Sequence, residues 1–144
     1  MAIELDEQVT EDVNMASRTG HPMIFVGVTP EGEPTVSFRG SAQVLGKDRL
    51  AFWARKGGDS TLVNSLATHP TVVAVYSNMP ERRFYQFKGK ARLVSTEPDR
   101  TTVYDNAPDF ERNADPEKKG DAVIIELESV RGRGKDGMVM MARE

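Results

Sequence analysis

The sequence predicts a mainly β protein: an antiparallel sheet of six or seven strands, closed or nearly closed as a barrel, with a few short helices. Two patterns point there. Apolar, β-branched or alternating runs follow one another along the 144 residues, most of them separated by short glycine- and proline-bearing turns at hairpin spacing. Helical spacing, by contrast, is confined to a few short stretches between them. The length fits one domain spanning 1–144, long enough to bury a core.

Taken in order, Leu5, Val9, Val13 and Ala16 recur at helical spacing with acids and Asn14 between them, an amphipathic first helix that ends near Gly20. An apolar strand over 23–29 runs into Pro30-Glu31-Gly32-Glu33, a turn of the kind these residues favour. A second strand over 35–45 is broken by Arg39-Gly40-Ser41, where a glycine marks a bulge or a close approach to the backbone. Gly46-Lys47-Asp48 turns the chain into a strand over 50–54, rich in large side chains.

Arg55, Lys56, Gly57 and Gly58 make the next turn, and Asp59 or Ser60 can cap a short helix carrying Leu62 and Leu66 on one face. That helix ends before Pro70, because the residue ahead of a proline is pushed out of the helical region. The step over 50–76 reads as the one strand–helix–strand unit, its last strand over 71–76. Met79-Pro80-Glu81-Arg82 turns into a long strand over 83–94. A helix over 96–104, capped by Thr96 with Pro98 in its first turn, precedes a polar loop over 105–120 with a helical turn. A strand over 122–127, a basic glycine turn over 131–137 and a strand over 138–142 complete the chain.

Hydrophobic content of 38% and charged content of 28% are ordinary for a globular protein. The net charge of −3 gives no footprint for nucleic acid or for an anionic membrane. Basic residues nevertheless gather over 39–56 and 82–92, which suits a small anionic ligand, although solvated edge-strand charges give the same pattern. No cysteine is present, which excludes disulfides, thiolate metal sites and a cysteine nucleophile. The two histidines, His21 and His69, lie far apart and each beside proline, so neither a metal site nor a catalytic triad is expected. No dinucleotide or P-loop glycine motif occurs. No run is long enough to span a bilayer, and the acidic N-terminus lacks the features of a signal peptide, so a cytoplasmic protein is expected.

The strand over 50–54, the basic glycine turn and the helix start together make a candidate anion site, where free N–H groups and cationic side chains converge. The same residues also read as an ordinary turn and helix cap. With no redox side chain, obvious nucleophile or metal cage, an enzyme built on this chain would rely on a bound organic cofactor.

Four stretches carry a resemblance: Phe38-Arg-Gly-Ser; Leu50-Ala-Phe-Trp-Ala-Arg; Asn64-Ser-Leu-Ala-Thr-His-Pro-Thr-Val-Val-Ala-Val-Tyr; and Arg83-Phe-Tyr-Gln-Phe-Lys-Gly-Lys-Ala-Arg-Leu-Val. In this order, over about residues 10–95, they resemble the pyridoxamine 5'-phosphate oxidase-like superfamily, which binds FMN or a deazaflavin coenzyme. The resemblance implies a split β-barrel that forms a homodimer, with the cofactor at the subunit interface and a small-molecule substrate. By position it places Arg39, Gly40 and Ser41 along the flavin ring and Trp53, Ala54 and Arg55 beside the cofactor tail. Ser60 and Thr61 would hold the phosphate, with Asn64 facing the same side and Arg55 or Lys56 supplying charge. Arg82, Arg83 and Tyr85 would approach from the long strand, from either subunit.

The Ser-Arg-Lys phosphate motif of the vitamin-synthesising oxidase is Ser60-Thr61-Leu62 here, and no counterpart of its C-terminal arginine and tryptophan segment is found. Pyridoxamine phosphate oxidation is therefore not the expected activity. The expectation is an FMN- or coenzyme F-420-dependent oxidoreductase without an identifiable catalytic acid or base. The alternatives are a non-catalytic binder of flavin, deazaflavin or haem, and a barrel that has lost its cofactor.

Overall fold

Why the first helix forms is visible at its start. Asp6 caps α1 (Glu7–Asn14), its carboxylate accepting from the Val9 N–H at 2.8 Å, and Val9 and Val13 bury one face. Strands β1 (Met23–Val28), β2 (Pro34–Arg39), β3 (Gln43–Leu45) and β4 (Arg49–Ala54) follow, then α2 (Thr61–Ser65) and β5 (Thr71–Asn78). A 3-10 turn (Met79–Glu81) leads to β6 (Arg83–Val94), and α3 (Asp99–Asn106) and α4 (Asp109–Ala114) precede β7 (Asp121–Gly134) and β8 (Gly137–Ala142). This computed structural model describes residues 2–55 and 61–143. Among the described residues no helix is long and apolar enough to cross a membrane.

The eight strands form one sheet in the order β2-β1-β5-β6-β7-β4-β3, with β8 added on β7 and each pairing antiparallel. The sheet curls. Phe25 of β1 and Phe52 of β4 stand four places apart in the strand order, yet their rings meet edge to face at 5.0 Å inside it. Opposite Lys88 and Gly89 of β6, Glu128 of β7 is an extra, unpaired residue, a bulge that bends the ladder and increases local twist. The concave face carries Met23, Phe25, Leu50, Phe52, Val72, Ala74, Tyr76, Tyr85, Phe87, Ile125 and Leu127 as one core, with α1 and α2 packed against it.

Four sequence expectations need correction. Among the described residues the strands number eight. The step over 50–76 is not a β-α-β unit, because β5 lies three places from β4; α2 instead packs on β1, where Leu62 fills the space left by Gly27. The basic stretch over 131–137 is mostly strand, since β7 runs on to Gly134 and pairs there with both β6 and β8. Glycines at 132 and 134 weaken the local strand signal, but the ladder on both sides overrides propensity. The cap of α3 comes from Glu97 and not Thr96: the Glu97 carboxylate accepts from the Thr101 N–H at 2.8 Å and from its hydroxyl at 2.7 Å, which lowers the Glu97 proton affinity.

β4 and the first half of β7 are buried on both faces, and the outward side chains Ala51, Trp53, Ala122 and Ile124 form a second core with Val94, Val103 and Tyr104. Burying a tryptophan requires a partner for its indole N–H. Asp115 supplies it, accepting from Trp53 Nε1 at 2.9 Å and from the N–H groups of Lys119 and Gly120 at 3.0 and 2.9 Å. The Tyr104 hydroxyl donates to the Asp115 carbonyl at 2.8 Å, and Arg100 lies 5.2 Å over the Trp53 ring. Burial pushes the Asp115 carboxyl up, but those donors and Arg100 outweigh it and hold the group below its ordinary value of 3.8.

The outer face of β2, β1 and β5 is apolar and bare. Val36 and Phe38 are 61% and 66% exposed, opposite Val26 and Ile24, which in turn sit opposite Val73 and Val75.

Because Asp115 binds protons less tightly in the fold than in the unfolded chain, its ionised form stabilises the fold above pH 3.8, and this contribution is lost as pH falls through the lower folded value. Asp115→Asn should cost about 2 kcal/mol at neutral pH. It should also flatten the stability profile between about pH 5 and pH 2. Urea unfolding of both proteins across that range checks it; parallel profiles would mean Asp115 contributes no acid-sensitive stability.

Candidate functional site

Five of the sequence-predicted residues meet at one end of β4. Arg39, Gly40, Ser41, Trp53 and Arg55, with Phe38 and Glu111, surround a groove of about 70 Å3. The turn between β2 and β3 is clamped to β4 by Ser41: its hydroxyl accepts from the Trp53 N–H at 2.7 Å and donates to the Trp53 carbonyl at 3.2 Å. Ser17, just past α1, donates to the Gly40 carbonyl at 2.8 Å. The Arg39 guanidinium lies 4.7 Å over the Phe52 ring and donates to the Ser37 hydroxyl. Ala54 is buried beside them in β4.

Helix α4 covers this groove. A Cβ at Gly40 would stand 2.6 Å from the Glu111 carboxylate and 2.9 Å from the Phe110 ring, so α4 rests its side chains directly on this glycine and a larger residue would displace them. Glu111 lies 3.9 Å from Arg55, whose side chain is 50% exposed, a weak pair in water. The Trp53 indole is spent on Asp115 and turns to the second core, so Trp53 offers the groove its backbone position and an edge. Thr61 and Asn64 are exposed on α2 and do not line the groove. Lys56 and Ser60, with the expected cap at Asp59, lie outside the described residues.

Arg82, Arg83 and Tyr85 are elsewhere. Arg82 and Arg83 line a cavity of about 680 Å3 between α1, the end of β5, the start of β6 and the end of β7, with Tyr76, Asn78, Arg133 and Lys135. It shares no lining residue with the groove. In its wall Asp12, 6% exposed, accepts from Arg83 Nε at 3.0 Å, from Arg83 Nη2 at 3.2 Å and from the Tyr85 hydroxyl at 2.6 Å. The hydrogen bond to Asp12 raises the Arg83 proton affinity against the cost of burial. Burial, and then the hydrogen bond to Asp12, raise the Tyr85 phenol above its ordinary value of 10.0, so Tyr85 stays a donor. Tyr76 stacks on Tyr85 at 5.4 Å.

Sequence reasoning missed Asp12, Asn78, Glu111 and Arg133. Asp12 sits in a helix whose acids look like a solvated face, and Glu111 in a stretch that reads as polar loop. No local signal distinguishes either from its neighbours.

No protein-family model matches the chain, and no curated protein matches it in sequence. Solved structures do match in shape. HupZ of Group A Streptococcus superposes with a TM-score of 0.71 at 10% identity, covering 93% of this chain and 97% of that one. A putative pyridoxamine 5'-phosphate oxidase of Lactobacillus delbrueckii gives 0.64 at 18% identity, covering 90% and 94%. A pyridoxamine 5'-phosphate oxidase-related FMN-binding protein of Nostoc punctiforme gives 0.68 at 10%, covering 91% and 88%. The chain therefore has the split-barrel fold of pyridoxamine 5'-phosphate oxidase-like proteins.

Asp12→Ala leaves the mostly buried Arg83 guanidinium and the Tyr85 hydroxyl without their acceptor, and should cost about 3–5 kcal/mol. Chemical denaturation measures it; a loss below about 1 kcal/mol would make the cluster a surface-like pair.

Proposed function

We propose that this barrel binds a flavin, FMN in the first place and coenzyme F-420 in the second, and uses it as a homodimer for oxidoreduction of a small molecule. The observation that carries the reading is the convergence of Arg39, Gly40, Ser41, Trp53 and Arg55 on one groove, in a fold shared with a protein named as FMN-binding. These residues are adjacent in space although two strands apart in sequence, as a binding site requires and a set of unrelated turns does not.

The groove fits part of a flavin. Ser41 holds the turn rigid, and Arg55 is the half-exposed cation that suits a phosphate oxygen. Room is the constraint: about 70 Å3 beneath α4 does not take a tricyclic ring. The missing wall is supplied by a second copy seated on the bare face of Val36 and Phe38, which borders the groove through Phe38. Arg82 reaches this site from the partner. A flavin supplies hydride chemistry when bound. The protein's part is to hold the phosphate with Arg55, to fix the ring's edge against the Arg39–Ser41 backbone, and to exclude water with the apolar face.

A second reading has its own support. Glu111, facing Arg55, is the single carboxylate lining the groove among the described residues, so the groove offers only one candidate group there for proton transfer. That favours a protein that stores or carries the flavin.

The absorbance spectrum of the purified protein decides first: a flavin or deazaflavin band supports the reading, and a preparation that stays colourless after addition of either sinks it. Reduction followed by turnover with an acceptor separates enzyme from store. Arg55→Ala should weaken FMN binding by about 1–2 kcal/mol, read by fluorescence titration. Glu111→Gln, which removes a negative charge facing the phosphate, should strengthen it by up to about 1 kcal/mol. Phe38→Glu should convert the dimer to monomer in sedimentation and lose the flavin with it; a dimer that persists would place the interface elsewhere.

A further inference from the structure

Away from the groove and the large cavity, one side-chain polar atom among the described residues is enclosed without a partner: Gln43 Oε1. Gln43 is 3% exposed and belongs to β3, the last strand in the sheet order. With Asn14, Arg18, Val44 and Asn106 it lines a pocket of about 260 Å3. We infer that this pocket, between the end of α1, the outer edge of β3 and the end of α3, is a binding site for a small neutral molecule bearing a carboxamide or ureido group. It shares no lining residue with the groove or the large cavity, so it stands whether or not a flavin binds.

The orientation of the Gln43 amide supplies the first argument. Its Nε2 donates to the Ser41 carbonyl at 3.1 Å and to the Val103 carbonyl at 3.0 Å, so both amide hydrogens are used. Turned over, the amide would set its oxygen against those two carbonyls. Oε1 is therefore an acceptor, and an empty buried acceptor carries the full cost of its desolvation. A molecule that donates to it recovers that cost, which none of the described residues does.

The other lining groups supply the second. Asn14 Oδ1 accepts from the Val44 N–H at 2.8 Å, which leaves the Asn14 amide hydrogens as donors. Arg18, exposed, donates Nη1 to the Asn14 carbonyl at 3.0 Å and forms no ion pair among the described residues. The pocket thus sets an enclosed acceptor against donors nearer to solvent, and no carboxylate stands among its lining residues.

That pattern selects a ligand class. A carboxylate has no hydrogen to give Gln43. An ammonium group donates, but Arg18 repels it and nothing in the lining balances its charge. A carboxamide carries N–H and C=O on one planar group, the first for Gln43 and the second for Asn14 or Arg18. The volume of about 260 Å3 lies just under the ~300–1,000 Å3 of typical small-molecule sites, which suits a single-ring compound.

The test titrates the full-length protein with benzamide, benzoate and N,N-dimethylbenzamide, following backbone and side-chain amide resonances by NMR. Benzoate and the dimethylamide keep the ring and lose the N–H. Expected are saturable benzamide shifts at the Gln43 side chain, Val44 and Asn106, with the other two compounds about tenfold weaker or more. Asn106→Trp, which fills the mouth from an exposed position, should weaken benzamide about tenfold or more, and Arg18→Ala about threefold, with unfolding midpoints unchanged. The inference is overturned if benzamide does not saturate, leaving ordered water as the only occupant, or if benzoate or the dimethylamide binds as tightly. It is equally overturned if binding survives Asn106→Trp, or if the shifts centre on Arg39 and Arg55 instead.

Discussion

β4 and the opening half of β7 are apolar on both faces, and that constraint organises everything outside the barrel. Leu50, Phe52, Val123 and Ile125 belong to the interior, while Ala51, Trp53, Ala122 and Ile124 need cover on the other side. An antiparallel sheet can leave one face to water, but not these strands. The chain between β6 and β7 is the cover. α3 lays Val103 and Tyr104 on the outward residues, and Gln43 of β3 ties it down by donating to the Val103 carbonyl at 3.0 Å.

Covering Trp53 in turn requires an acceptor for its indole, and Asp115 answers with a carboxylate that four groups stabilise. That anchor fixes where α4 ends. With Asp115 bound beneath Trp53 and α3 packed on β4, the six residues of α4 have to cross the mouth of the groove at Gly40. The occlusion of the groove by Phe110 and Glu111 is thus a consequence of burying a tryptophan on the strand next door. α4 itself buries none of its residues, so the cover is held at its ends and not along its face.

The two carboxylates buried among the described residues divide the molecule. Asp115 stitches the outer layer to β4, and Asp12 stitches α1 to β6 through Arg83 and Tyr85. Each is satisfied several times over, as a buried charge must be. Trp53, bound to Asp115, borders the groove, the residues around Asp12 border the larger cavity, and the two spaces face different chemistry: Arg39, Arg55 and Glu111 beside Phe38 in the first, an excess of cations in the second.

Sequence alone determined the mainly β fold, the strand succession up to β6, the short helix bearing Leu62, and the break at Arg39-Gly40-Ser41, because each rests on local periodicity or on the backbone limits of glycine and proline. It also singled out the residues that converge on the groove, through a resemblance carried by their order along the chain. Tertiary structure decided the rest. The extent of β7 depends on ladders with β6, β4 and β8 that outweigh two weak glycines, and the separation of β4 from β5 depends on strand order, which no local pattern encodes. The roles of Asp12, Glu111 and Asp115 come from contacts up to 73 residues away, as in the bond from Tyr85 to Asp12. A carboxylate in an acidic helix or a polar loop looks the same in sequence whether water or a buried donor set will surround it, and only the folded chain brings those donors to it.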